Sequence, residues 1–224
     1  METIVSFFKG IIDYSIILMP QVLEGVKVTL LIFILTLILS IPLGVLVAIG
    51  RKSKIKIIRK ITGIYVLVMR GTPLLLQIVF IFFGLPNLNI VIDRFPAAII
   101  AFTLNYAAYF GEIFRAGIAS VSVEQYEASK VIGLSKIDTF FRIILPQAFK
   151  TVLPPIANEV VTLVKDTALV YVIGLDELLR VGKIACNRDS SLLPLVVIGV
   201  VYLILIAVLT KILNKAEKKF EYYS

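Results

Sequence analysis

The sequence predicts an all-α membrane protein of five transmembrane helices, with a cytoplasmic helical elbow between the third and fourth. Three observations predict it. Of the 224 residues, 59% are hydrophobic and only 17% charged, whereas a water-soluble domain carries about 25% charged residues. Apolar runs near the roughly 20 residues needed to cross the hydrocarbon core recur along the chain. The basic residues behind the net charge of +8 gather in short clusters between those runs, as topology signals do. A nucleic-acid footprint would spread along one face instead, so nucleic acid is not an expected partner.

Residues 1–21 are apolar but include Lys9, Gly10 and Asp13. They are expected to lie in the outer membrane interface rather than to form a sixth span. The first span is then placed from about Val22 to Ile49, stopping at Arg51, Lys52, Lys54, Lys56, Arg59 and Lys60. The second runs from about Ile61 to Phe83 and the third from Pro96 to Ile113. The fourth covers Pro146 to Val164, with Pro154 and Pro155 inside it, and the fifth Leu192 to Leu213. One domain, residues 1–224, is expected. Basic residues are dense after the first and third spans and in the C-terminal tail. The positive-inside rule then places the N-terminus outside and the C-terminus in the cytoplasm. Five spans require opposite sides for the termini, so the two arguments agree.

Several chemistries are excluded by what the chain lacks. There is no histidine, hence no histidine triad, histidine proton relay or typical zinc site. Cys186 is the single cysteine, so an intrachain disulfide is impossible. Glu2, the late Lys9 and the lack of a small-residue cleavage site speak against a leader peptide. No Gly-x-x-x-x-Gly-Lys-Ser/Thr loop occurs, which rules out ATP hydrolysis by that route. No catalytic residue, metal ligand or cofactor site is expected on this chain.

Residues 120–146 form the most informative stretch. Ser122 and Gln125 are spaced as a capping box, with Val121 and Tyr126 placed for a hydrophobic staple. A helix from Val123 to about Ile132 follows, and Gly133 can supply a left-handed C-terminal residue. Ser135 caps a second helix with Asp138 in its first turn. Phe141, Ile144, Leu145 and Ala148 recur at helical spacing and lead into the fourth span. Such an elbow can be a rigid loop, a lipid-surface anchor or a docking element.

This stretch resembles the signature loop of ATP-binding-cassette importer permeases: Glu127-Ala128-Ser129, three residues, Gly133-Leu134, then Ile143-Ile144-Leu145-Pro146 at the family's spacing. Ser129 stands where the signature usually has Ala, a small-for-small change. Arg70-Gly71-Thr72-Pro73-Leu74-Leu75-Leu76-Gln77, Glu112 through Ile118, Pro146-Gln147-Ala148, and Asn158 through Leu169 are similar to the polar amino-acid uptake branch. Together the matches cover most of the chain from about Gly25 onward. Glu124-Gln125 and Ala168 depart from the family's usual Gly-Gln and Ser. The resemblance implies that Glu127, Ala128, Ser129, Gly133 and Leu134 form a coupling helix on an ATP-binding subunit, where ATP and magnesium would reside. It also implies two such subunits, a second permease chain (identical or a close paralogue), an extracytoplasmic solute-binding protein and an amino-acid solute.

Ionisable groups inside a bilayer are costly and therefore worth a functional reading. Gly71-Thr72-Pro73 should break the second span, because proline lacks a donor and disfavours helix at the residue before it. Arg70 beside that break can hold a carboxylate, or can pair with Glu112 at a packing kink. Asn158 and Glu159 follow Pro154-Pro155, where a carboxylate suits an ammonium or guanidinium, or a structural pair with Lys165 or Arg70. Asn105, Tyr106 and Tyr109 can line a pathway or cross-link helices. On these residues the expected solute is a basic amino acid, with glutamine or glutamate as the alternative. An ion-gradient transporter using Arg70, Glu112, Glu159 and Asp166, or a membrane scaffold, would be the rival to an ATP-driven importer.

Overall fold

The computed structural model describes the backbone of Glu2–Phe220 and the side chains of Tyr14 to Lys219, and every element among them is helical. The first helix, α1 (Glu2–Arg51), runs 50 residues without a break, about 75 Å at 1.5 Å per residue. No boundary separates residues 2–21 from the rest of this helix. Among the described side chains, the apolar candidate helix already includes the residues from Tyr14 onward, ahead of Val22. The remainder of the interfacial expectation rests on side chains outside the described residues.

Next comes α2 (Lys56–Gly71), then α3 (Leu74–Val79), which continues as a π-turn over Phe80–Gly84 and a 3-10 turn over Leu85–Leu88. The break between α2 and α3 falls where it was expected. Thr72 is extended at φ −117 and ψ 146, the conformation imposed on a residue before proline. Further on are α4 (Arg94–Ala119), α5 (Val123–Val131), α6 (Lys136–Asp138) with its π-wound extension Thr139–Ile144, and α7 (Leu145–Asp166). A 3-10 segment (Thr167–Ile173), α8 (Leu178–Asp189) and α9 (Leu193–Phe220) complete the described chain.

Among the described residues, three helices are long and apolar enough to cross a membrane: Tyr14–Arg51, Arg94–Ala119 and Leu193–Lys219. Lys56–Gly71 with Leu74–Leu88, bent at their break, makes a fourth when taken as one span. The stretch expected as the fourth span forms the helix α7, 22 residues long, but it is not among these candidates. Lys150, Glu159, Lys165 and Asp166 leave it too polar to qualify by composition. Exposed Val196, Val200, Leu203, Ile204, Val208 and Ile212 form an outward apolar stripe along α9, suited to lipid.

Two compact units are interleaved along the chain. The first takes Met1–Leu35, Leu75–Ile99 and Thr162–Leu209. Its core sets Leu18 and Val22 of α1 against Leu178 and Ala185 of α8 and Val197 and Ile198 of α9. In lipid such contacts hold helices by van der Waals packing, because no water is released.

The second unit takes Thr36–Leu74, Ile100–Val161 and Thr210–Ser224. Here α1 and α4 approach through a pair of glycines. A Cβ on Gly44 would stand 2.8 Å from the Phe110 Cβ, and one on Gly111 would stand 2.6 Å from a Val47 methyl. Small residues allow membrane helices to meet at backbone distance. Beside this crossing, Val47, Val66 and Ala108 pack with Tyr65 and Met69.

Candidate functional site

The residues of interest fall in the second unit, at the end of α2 and at the elbow. At the end of α2, Pro73 has no N–H, so the carbonyl four residues earlier, that of Met69, loses its helical donor. Asn105 on α4 supplies the replacement: its amide nitrogen donates to the Met69 oxygen at 2.9 Å, and Asn105 is buried. Thr72 closes the preceding turn. Its backbone N–H and its hydroxyl both donate to the Val68 carbonyl, at 3.1 and 2.8 Å.

Arg70, one residue before Gly71, is exposed. Its guanidinium carbon stands 5.0 Å from the centroid of the Tyr109 ring, a cation–π contact of about 0.5–1 kcal/mol at an exposed site. The expected alternative partner, Glu112, is taken elsewhere. Its carboxylate accepts from Arg115 at 2.6 Å and from Arg51 at 3.3 Å. Arg70, Asn105 and Tyr109 are thus brought together around the broken helix end. Asn158 is exposed and Glu159 half-buried on α7, and Glu159 is already engaged with a neighbouring group. Arg70 and Gly71 also line a cavity of about 900 Å³ whose lining does not include Asn158, Glu159 or Tyr109.

The elbow follows the sequence closely. Ser122 stands at the start of α5 in extended conformation (φ −64, ψ 150), but its hydroxyl makes no cap hydrogen bond. The expected reciprocal box with Gln125 is therefore not formed. Glu124 takes its place: hydrogen bonds from its own backbone N–H and the Ser122 hydroxyl hold its carboxyl below the ordinary carboxylate range. Val121 and Tyr126 do share one apolar cluster, with Ile144 and Ala148, as the staple requires.

At the other end of α5, Gly133 is left-handed at φ +77. Its N–H donates to the Lys130 carbonyl and the N–H of Leu134 to the Ser129 carbonyl, both at 3.0 Å. That pair of bonds is the Schellman closure of a helix. Ser135 caps α6 as expected, accepting from the Asp138 N–H at 3.1 Å and donating to its carboxylate at 2.6 Å. Arg142 pairs with the same carboxylate at 3.3 Å.

Glu127 and Ala128 are exposed on α5. Ser129 faces inward at 2% exposure, and its hydroxyl is spent on the Gln125 carbonyl at 2.6 Å. A serine can therefore stand in for alanine there without leaving a bare polar group. Beside them the elbow carries bare apolar side chains, Val131 at 87%, Ile137 at 72% and Ile132 at 71% exposure. Sequence reasoning did not single these out. Their signal was an apolar pair directly before Gly133 on an otherwise polar segment.

A model of the family described as binding-protein-dependent transport system inner membrane component matches residues 40–219. The chain belongs to this family. The permease is 39% identical over 204 residues to the arginine transport system permease protein ArtQ of Bacillus subtilis (strain 168), covering 90% of this chain and 93% of that one. It is 38% identical over 206 residues to the L-cystine transport system permease protein TcyB of the same organism, covering 91% and 88%. To the glutamine transport system permease protein GlnP of Escherichia coli (strain K12) it is 35% identical over 205 residues, covering 90% and 94%. A chain from the crystal structure of an amino acid ABC transporter with histidines superposes with a TM-score of 0.86 at 31% identity, covering 95% of the permease and 98% of that chain. The inward-facing MetNI methionine ABC transporter shares the fold at a TM-score of 0.72 and 20% identity, covering 90% and 97%.

One further acid in the permease escaped sequence reasoning. Glu177, at 0% exposure, caps α8 by accepting from the N–H groups of Leu179 and Arg180, both at 2.7 Å. The Tyr202 hydroxyl of α9 donates to it at 3.0 Å. Burial raises its pKa above the ordinary carboxylate value even with these donors in place. Placed one residue before an apolar run, it carried the N-cap position signal, although Asp and Asn are the commoner caps.

Proposed function

We propose that the permease is the membrane-spanning subunit of an ATP-driven importer of a polar, basic amino acid. In this reading it spans the membrane five times, with α7 as the fourth span, the N-terminus outside and the elbow and C-terminus in the cytoplasm. Two ATP-binding subunits dock on the elbows of two permease chains, and Mg-ATP bound there supplies the work. An extracytoplasmic binding protein delivers the solute.

The observation that carries the reading is the elbow. Its fold is fixed internally by the Gly133 closure, the Ser135 cap and the Tyr126 staple. Its tip nevertheless leaves Val131, Ile132 and Ile137 in the open beside Glu127 and Ala128. A rigid segment with an exposed apolar tip is suited to seating in a groove of another protein. Its second arm, from Lys136, continues without a break into α7, so a displaced elbow would carry that span along.

For the solute, the Arg70 guanidinium is offered for the α-carboxylate, and its stacking on Tyr109 holds it in place. Gly71, Thr72 and Pro73 shape the opening, with Asn105 keeping the broken backbone paired. Asn158 and Glu159 are assigned to the second positive group of a basic side chain. Relatives of the permease are named for arginine, cystine and glutamine, so the choice among them rests on Glu159.

Competition among radiolabelled arginine, lysine, histidine, glutamine, glutamate and cystine in proteoliposomes holding the full transporter tests this. Loss of one member of a buried charge pair costs about 2 kcal/mol or more. Glu159→Gln should thus weaken arginine uptake about thirtyfold or more while leaving glutamine uptake near its starting value. Preference for glutamine, glutamate or cystine, or unchanged arginine uptake by the variant, would refute the basic-solute assignment. Uptake without ATP hydrolysis would refute the importer reading itself.

A further inference from the structure

A concavity of about 900 Å³ in the second unit is lined by Arg51, Lys56, Arg59, Lys60 and Arg70, with Glu112 as the one acid in its lining. That acid is already neutralised, since Arg115 and Arg51 share its carboxylate. Among the described residues no carboxylate pairs with Lys56, Arg59 or Lys60, and the first turn of α2 holds no acid. The positive end of the helix adds to the same potential. A topology signal requires only that basic residues lie on one side. It does not require that they converge on one cavity without counter-charges.

The rest of the lining is apolar: Ile64, Val66 and Leu67, with Gly63 and Gly71. The same helix turns Ile57, Ile61, Ile64 and Leu67 outward, all at least half exposed. The spacing of three to four residues puts them on one stripe. Cations at the start of a membrane helix and an apolar stripe running away from them match a molecule with an anionic head and hydrocarbon tails.

We propose that this cavity binds the phosphate headgroup of an anionic phospholipid at Arg51, Lys56, Arg59 and Lys60, with the acyl chains along the outward face of α2. The Arg70 end of the cavity belongs to the solute reading above, and the lipid site does not depend on it. Basic clusters next to membrane helices attract anionic lipid in this way.

The test uses the purified transporter with its ATP-binding subunits, taken from nanodiscs of phosphatidylcholine with and without phosphatidylglycerol. Retained lipid is counted by native mass spectrometry. The wild type should keep phosphatidylglycerol in preference to phosphatidylcholine. Lys56→Gln, Arg59→Gln and Lys60→Gln combined should lose it by about fivefold for each cation removed. The charge-preserving set Lys56→Arg, Arg59→Lys and Lys60→Arg should keep it, as should Lys215→Gln, Lys218→Gln and Lys219→Gln in the last helix. Equal retention by the first set, or loss by either control set, would overturn the proposal. Displacement of the lipid by inorganic phosphate would also overturn it, by assigning the cavity to a soluble anion.

Discussion

Replacing Gly133 separates backbone conformation from side-chain contact at the elbow. Its φ of +77 lies in the left-handed region, and a Cβ built there meets nothing within 4 Å. A substitution therefore introduces no clash, and its whole cost is the conformation. Alanine should cost about 1 kcal/mol and valine about 1–3 kcal/mol. Asparagine, which tolerates this region, should cost only a few tenths. At about 1.4 kcal/mol per tenfold, Gly133→Val should shift the closed elbow against open forms by about five- to a hundredfold. The backbone N–H groups of Gly133 and Leu134, which close the turn, should then exchange with solvent faster by that factor. Transport coupled to ATP hydrolysis, measured in proteoliposomes, should fall in the order Gly, Asn, Ala, Val. Membrane insertion should be unaffected. If Asn and Val impair coupling equally, or if Val transports normally, the left-handed turn is not what holds the coupling surface.

Asn105→Leu removes the donor to the Met69 carbonyl and should destabilise the protein by about 1–3 kcal/mol, read as a lower unfolding midpoint in detergent. In a Pro73→Ala background, which restores an N–H at position 73, the same change should cost less, and equal losses in both backgrounds would refute the compensation. For topology, Cys186 is first replaced and single cysteines are introduced at Ser53, Ser135 and Ser190. Those at Ser53 and Ser135 should resist an impermeant thiol reagent in intact cells and that at Ser190 should react, whereas the opposite pattern would invert the assigned orientation.

The sequence made some of this legible and not the rest, for identifiable reasons. The break at Thr72-Pro73 and the left-handed Gly133 were readable because proline and glycine act through the backbone, whatever surrounds them. Ser135 was readable as a cap because its partner, Asp138, is three residues away. Ser122 was not, since its hydroxyl bonds the Glu124 carboxylate two residues on instead of accepting from the helix N–H. The pairing of Arg70 depended on which acid of distant sequence lay nearest, and Glu112 had two closer arginines, Arg51 and Arg115. Glu177 stayed hidden for the same reason: its third donor, Tyr202, lies 25 residues away on another helix. The long first helix escaped because Lys9, Gly10 and Asp13 argue for a polar interruption, yet none of them is forbidden in a helix.

The first unit draws together helices far apart in the sequence. Leu18 and Val22 pack on Leu178 and Val197, and the Thr29 hydroxyl accepts from the Leu178 N–H at 3.3 Å, 149 residues away. During synthesis the first helix must therefore wait in the bilayer until about four-fifths of the polypeptide has been made before those native neighbours exist. Chains that stop short of α8 would leave it unpartnered, exposing Leu18 and Val22 to surveillance proteases or to a neighbouring copy. Contacts of such long sequence separation also form slowly. Biogenesis of this permease thus depends on the arrival of its last fifth, and a shortfall in membrane abundance is to be sought in lesions around α8 and α9 before any search for lost transport chemistry.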